Sequence, residues 1–216
     1  MDQVSEPREL AAENWQAARR TGALHRALDI LSAATSLILF SPLLCLIALA
    51  IKLDDGGPVF YCQTRIGRGF QPFRIWKFRS MDIGADRSGS LTAPSDSRVT
   101  RVGKFLRRLK LDELPQLLNV FLGDMQLVGA RPEVDQYVQM FRSQYALILQ
   151  DRPGITDPAS LAYRHEEQIF AAGRMEEQYV REILPAKLKL ALEYQQHRNF
   201  ASDLHILMQT ALRLIS

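Results

Sequence analysis

Cysteine and histidine are scarce, and neither is arranged for metal chemistry. Cys45 lies inside a long apolar run and Cys62 lies beyond it, so a disulfide between them is excluded. The pair reads as two small buried thiols in a reducing compartment. His25, His165, His197 and His205 are scattered, with no HxxxH or HExxH spacing, so zinc hydrolysis has no support. Glycine is thin where a dinucleotide loop would need it. Gly67-Arg68-Gly69 lacks the third glycine, and Pro72 follows closely. There is no internal repeat and no low-complexity tract. Net charge is only +3 over 216 residues, so the chain is not polycationic. Lys and Arg gather instead between Arg65 and Arg108. They adjoin an apolar segment and carry no base-reading motif, which argues against nucleic acid as a partner.

That apolar segment, Ala27 to Leu53, is the first feature present in force. Nothing between Ile30 and Ile51 is charged. As a helix that uncharged stretch would be about 30 Å long, the thickness of a bilayer's hydrocarbon core. A polar segment, residues 1–24, precedes it, and no small-x-small cleavage site follows, which argues against a cleaved signal peptide. Two features argue against a simple span. Ser41-Pro42 stands mid-run, where proline removes a helical hydrogen bond and crowds the preceding turn. Both flanks are basic: Arg19, Arg20 and Arg26 before, Lys52, Arg65, Arg68 and Arg74 after. A spanning helix carries its positive charge on one side. The pattern predicts a re-entrant helix over 25–55, broken at Ser41-Pro42, with arms of about 18 Å that return to one face. The Ser41 hydroxyl is the candidate partner for a carbonyl that the proline frees. A spanning helix and a buried core helix are the competing readings.

Residues 56–216 read as one catalytic domain, mainly α with a small β-hairpin (α+β). VFYCQTRIG and FQPFRIWKF flank Arg68-Gly69 and predict the hairpin. Asp82 to Ser97 is a polar surface loop and a candidate lid. From Arg98 to Leu109 basic residues recur at helical spacing between Val102, Phe105, Leu106 and Leu109, a basic amphipathic helix suited to a membrane surface. A second helix follows from Leu111, with Pro115 marking its start or a kink and Gly123 its end. Glu176 to His197 is amphipathic and interrupted by Pro185. Leu204 to Ile215 is an apolar helix that either caps the core or rests on the membrane.

Asp112-Glu113 are adjacent carboxylates behind a run of cations. Neighbouring helical positions diverge by about 100°, so the two share a site only where a helix end points at a substrate. Nearby cations would keep Asp112 ionised, as a nucleophile or metal ligand. The alternative is plain pairing of both acids with Arg107, Arg108 or Lys110. Lys77, Arg79, Arg107 and Arg131 are spread along the chain, and arginine forks converging on a pyrophosphate would suit phosphoryl transfer.

Six motifs in order then carry a resemblance: Ser41-Pro42, GPVFYCQTRIG, KFRSM at Lys77 to Met81, LDELPQLLNV at Leu111 to Val120, GDMQLVGARP at Gly123 to Pro132, and RPGIT at Arg152 to Thr156. The chain resembles the small monotopic phosphoglycosyl transferases, the bacterial sugar transferase family. From His25 to the C-terminus the resemblance implies a re-entrant helix broken at Ser41-Pro42. It implies Asp112 as nucleophile on a UDP-sugar, with Glu113 completing the dyad and Mg2+ beside Asp112. Polyprenyl (undecaprenyl) phosphate would be the acceptor and UMP the product. Lys77, Arg79, Arg107, Arg131 and Arg152 become the phosphate-binding candidates. The implied setting is the cytoplasmic face of a bacterial inner membrane, among its lipids, in exopolysaccharide or lipopolysaccharide O-antigen synthesis. Whether the chain acts alone or as a homodimer stays open, as does a catalytically silent lipid-phosphate-binding adaptor of the same fold. Two departures stand out. Ala130 replaces a usual proline before Arg131, and Asp157-Pro158-Ala159-Ser160 replaces Gly-Trp-Ala-Gln, so sugar identity does not carry over. No multi-helix membrane region precedes residue 25, so the resemblance is to the short form.

Overall fold

A computed structural model describes residues 22–85, 96–164, 166, 169–170 and 174–215. Most of the polar segment 1–24, and the middle of the loop expected over 82–97, lie outside the described residues.

The apolar run forms helix α1, Ala23–Asp55, the one described helix long and apolar enough to cross a membrane. It ends where Gly56 adopts φ 73°, a left-handed conformation open to glycine, and its N–H bonds Lys52 O. The backbone stays helical through Ser41-Pro42, with Pro42 inside α1, so the turn-back expected there takes the form of a bend within one helix and not of a gap between two. The preceding residue compensates for the bond that the proline cannot make. Pro42 lacks the N–H that would bond Ile38 O, four residues earlier, and the Ser41 hydroxyl donates to that same carbonyl at 2.8 Å. The freed acceptor is therefore satisfied locally, as an apolar surrounding requires.

Both ends of α1 are tied to the rest of the protein. Near its start, Arg26 donates to Met125 O and Phe121 O at 3.2 and 3.3 Å, and Asp29 accepts from Leu127 N at 3.4 Å. Ala33 packs with Leu117, Val120 and Met125. At its end, Asp54 accepts from Val102 N at 3.2 Å, and Asp55 grips the Arg79 guanidinium with both oxygens. Ile47 and Ile51 pack with Phe78 and Leu106. Between these contacts every residue from Ile38 to Pro42 is exposed. Cys45 is exposed as well, not buried as expected, and both cysteines are free.

The hairpin forms as expected: β1, Phe60–Ile66, pairs antiparallel with β2, Pro72–Phe78, from Phe60 opposite Phe78 to Ile66 opposite Pro72. The basic helix is α2, Arg101–Arg108, capped by Thr100, whose hydroxyl accepts from Gly103 N at 2.9 Å. A 3₁₀ turn, Leu111–Glu113, leads into α3, Gln116–Leu122, which ends at Gly123. Next come β3 (Gln126–Val128), α4 (Asp135–Met140), α5 (Arg142–Ile148), β4 (Gly154–Thr156) and α6 (Pro158–Ala162). Strands β3 and β4 pair in parallel, an element with no alternating signature in the sequence. Their loops touch so closely that a Cβ on Gly154 would fall 2.1 Å from Gly129 N, so no side chain fits there.

The rest is helical. α7, Met175–Gln178, passes through a π-helical turn, Tyr179–Ile183, into α8, Leu184–His197. The widened turn sits just before Pro185, whose missing N–H disturbs the α-helical ladder. α9, Phe200–Ile215, starts four residues before the stretch read from sequence and buries Asp203 and Ile206. The largest core cluster joins Ile66 of the hairpin to Tyr137, Tyr145, Tyr179, Leu184 and Leu188.

Candidate active site

The site is built where α2, β2 and the segment after β3 meet. α2 stops at Arg108, and Lys110 takes φ 56°, a left-handed conformation. That residue turns the chain, so Leu111–Glu113 forms a separate 3₁₀ turn instead of prolonging α2. Asp112 and Glu113 are thereby brought beside Lys77 of β2 and Arg131.

Glu113 is the anchor. Arg131 engages it with both Nη atoms, Nη1 reaching Oε2 at 3.0 Å and Nη2 reaching Oε1. Lys77 Nζ donates to Oε1 at 3.1 Å. Burial works to raise the Glu113 pKa, but the charges of Arg131 and Lys77 outweigh it and hold the carboxyl well below its usual range. Arg131 is raised in turn, chiefly by Glu113. The alternative pairing with Arg107, Arg108 or Lys110 is therefore not what satisfies Glu113.

Asp112 is different. It is buried, and its Oδ1 has no hydrogen-bond partner among the described residues. Burial raises its pKa, the Glu113 charge adds to this, and Lys77, Arg107 and Lys110 offset only part of it, so the carboxyl lies above its usual range and the lowering expected from the nearby cations does not prevail. One acid of the pair is thus fixed and neutralised by cations, while the other is left unengaged. The contribution of Arg107 to Asp112 depends on the turn at Lys110.

Arg131 is itself held on both sides. Ala130 O accepts from Gly154 N at 2.9 Å. Beyond it, Glu133 accepts from Arg65 at 2.7 Å and from the Tyr179 hydroxyl at 2.6 Å, and Glu133 O accepts from Ile66 N at 3.0 Å. Sequence reasoning missed Glu133, Arg65 and Tyr179 as supports, because the three are separated along the chain and meet only in the fold.

The other candidates lie elsewhere. Arg79 is buried, its fork is taken by Asp55, and its Nε donates to Pro58 O at 2.6 Å. The charges acting on it are those of Asp55, Asp54 and Asp82, not the dyad. Arg152 Nε donates to Gly123 O at 2.7 Å, and its charge acts on Arg26 at the start of α1. Ser41 and Pro42 sit mid-helix in α1. Asp157 of the departing segment caps α6, accepting from Ser160 N at 2.7 Å with Pro158 in the first turn. Among the described residues no group of three or more His, Cys, Asp or Glu is disposed to hold a metal.

This geometry joins a carboxylate pair, Asp112 buried and Glu113 partly so, to convergent cations beside an apolar helix. The model of the family described as bacterial sugar transferase matches residues 20–216. The chain belongs to the bacterial sugar transferase family. Among its relatives, the UDP-glucose:undecaprenyl-phosphate glucose-1-phosphate transferase of Escherichia coli K12 is 43% identical over 196 residues, covering 88% of this chain and 40% of that protein. The protein of the same name from Caulobacter vibrioides is 40% identical, covering 88% of this chain and 69% of its own length. The UDP-N-acetylgalactosamine-undecaprenyl-phosphate N-acetylgalactosaminephosphotransferase of Aeromonas hydrophila is 44% identical over 144 residues, 65% of this chain and 34% of that protein. The chain thus spans well under half of two of these relatives.

The ion cluster makes a stability prediction. Replacing Arg131 by Gln removes the main charge that holds Glu113 ionised. Breaking a fully buried pair costs about 3–5 kcal/mol. Here Lys77 remains and the Arg131 side chain is 32% exposed, so a loss of about 2 kcal/mol is expected. The depressed Glu113 pKa stabilises the fold above the ordinary carboxylate pKa, and that stabilisation disappears as pH falls through the depressed value. The gap in thermal stability between wild type and Arg131→Gln, followed in detergent, should be full at pH 7 and narrow on acidification. A gap independent of pH would contradict the assignment.

Proposed function

We propose that this protein transfers a sugar-1-phosphate from a UDP-sugar to polyprenyl phosphate through a covalent intermediate on Asp112. The observation that carries the reading is the asymmetry of the dyad: Glu113 is locked by Arg131 and Lys77, whereas Asp112, beside it, is not engaged. An Asp112 carboxylate oxygen attacks the β-phosphorus of the UDP-sugar. The bond from that phosphorus to the bridging oxygen breaks, and UMP leaves with the electron pair. A phosphate oxygen of the polyprenyl acceptor then attacks the same phosphorus, and the Asp112 carboxylate departs unchanged. Two steps let the cationic cluster offset the repulsion between anions one displacement at a time. Glu113 keeps Arg131 and Lys77 in place, and Arg107 adds positive charge at the nucleophile. Arg79 enters this reading as a clamp on the end of α1, and Arg152 as a tie between its own loop and Gly123.

A donor set of one unengaged carboxylate does not make a resident metal cage. It suits Mg2+ arriving with the diphosphate, since that ion is commonly held by one or two carboxylates, substrate oxygens and water. Asp112 would be its protein ligand, and the ion would supply charge neutralisation at the phosphates. An adaptor without catalysis would be marked by loss of the acidic pair, which is present. The relatives' names divide between glucose and N-acetylgalactosamine, so the sugar is a question for a substrate panel. UMP release from UDP-sugars with undecaprenyl phosphate should be seen for at least one donor. Asp112→Asn should abolish it while membrane binding persists. More than a few per cent residual activity would rule out a covalent Asp112.

The same reading places both ends of α1 on the cytoplasmic face of the inner membrane. A spanning helix must carry one end away from the catalytic body, but Arg26 and Asp55 both bond to it. The exposed apolar stretch around Ser41-Pro42 is then the part that dips deepest into the leaflet. Single cysteines placed near Arg20 and near Asp55, in a background lacking Cys45 and Cys62, should both resist a membrane-impermeant thiol reagent in intact cells. Labelling at the Arg20 position alone would mean that α1 spans.

A further inference from the structure

Five buried side-chain polar atoms among the described residues have no hydrogen-bond partner, and three of them lie between Asp112 and Gln116. One is Asp112 Oδ1. The others are Nε2 and Oε1 of Gln116, a residue with 0% exposure. An interior amide with neither end paired is destabilising, whereas an apolar side chain of similar volume in its place is not. A glutamine in that position therefore calls for a partner.

The backbone brings one near. From Leu111 the backbone keeps right-handed helical angles through the 3₁₀ turn, a further turn at Leu114 and Pro115, and then α3. Leu114 N bonds Leu111 O at 3.2 Å and Leu117 N bonds Leu114 O at 3.1 Å. These bonds span three residues, so the segment is wound more tightly than an α-helix, and Asp112 and Gln116, about one and a third turns apart, meet through the length and rotation of the glutamine side chain. Their needs are complementary. An ionised carboxylate only accepts, and the amide brings two N–H donors. The nearby Lys77 is already bonded to Glu113.

We infer that Gln116 is a positioning residue for Asp112: by a side-chain turn its Nε2–H donates to the buried Oδ1, which fixes the carboxylate and leaves Oδ2 to meet the phosphate. The catalytic half of this inference rests on Asp112 as the nucleophile, and the contact itself does not. Without the contact the carboxylate could rotate, and fewer encounters would present Oδ2 in line with the phosphorus.

A double-mutant cycle on the full chain in detergent separates the two halves. In the native Asp112 background, Gln116→Leu leaves Oδ1 without its donor and should lower Tm by about 2–5 °C. In an Asp112→Ala background the amide has no partner to lose, so the same substitution should raise Tm. A change of the same sign in both backgrounds overturns the contact. In the kinetic arm, Gln116→Leu should lower kcat roughly tenfold with KM for the UDP-sugar unchanged. A reversal of sign in Tm with an unaltered kcat would establish the contact and overturn the positioning role. Gln116→Met, unbranched and without a donor, replaces Leu in both arms if the leucine variant does not fold. The Tm cycle uses no substrate. Failure of the wild-type protein to release UMP would sink the reaction proposed above and leave the cycle interpretable.

Discussion

A buried negative charge has to be compensated, and the architecture of this site follows from how Glu113 meets that demand. Its carboxylate takes Arg131 from the segment after β3 and Lys77 from β2. Each cation must be delivered by an element fixed in place. The hairpin register delivers Lys77. Arg131 is delivered by a segment pinned to Gly154 on one side and to Arg65, Ile66 and Tyr179 on the other. The left-handed Lys110 turns the dyad toward both. With Glu113 neutralised in this way, Asp112 is left as the chemically available acid beside a concentration of positive charge.

The apolar helix belongs to the same construction. Asp54 takes an N–H in the first turn of α2, and Asp55 locks Arg79, two residues beyond Lys77 on the β2 side. At the other end Arg26 and Asp29 hold the chain between α3 and β3. The seating of α1 and the delivery of Lys77 therefore both run through β2 and the residue that follows it, and a change in the seating of α1 should be felt at the dyad. The Ser41 hydroxyl lets the helix carry Pro42 without leaving a carbonyl unpaired in lipid.

Much of this was legible in the amino-acid sequence where the signal is local. Aromatic and β-branched runs around a glycine turn marked the hairpin, and basic residues at helical spacing marked α2. The acidic pair and the Ser-Pro step could be read directly. The parallel pairing of β3 and β4 could not, because strands of three residues carry no alternation and the pairing depends on backbone contact at Gly129 and Gly154. Nor could the division of labour among arginines. Arg79 and Arg131 look alike in sequence, yet one closes on Asp55 and the other on Glu113, and that outcome is decided by tertiary placement. At Pro42 the backbone stays helical, and the serine before the proline supplies a partner for the carbonyl that the proline frees. The Asp157 segment departs from the family pattern but serves locally as a helix cap, a role that its Asp-Pro-x-Ser order fits.

The central claim is that the unengaged member of the dyad forms a bond to phosphorus. The most direct measurement is mass spectrometry of the protein quenched after mixing with its UDP-sugar donor in the absence of polyprenyl phosphate. The account predicts a mass increase equal to one phosphosugar, located to Asp112 after proteolysis and discharged when the lipid acceptor is added. UMP release and lipid product without any protein-bound phosphosugar, or an adduct located at Glu113, would contradict it.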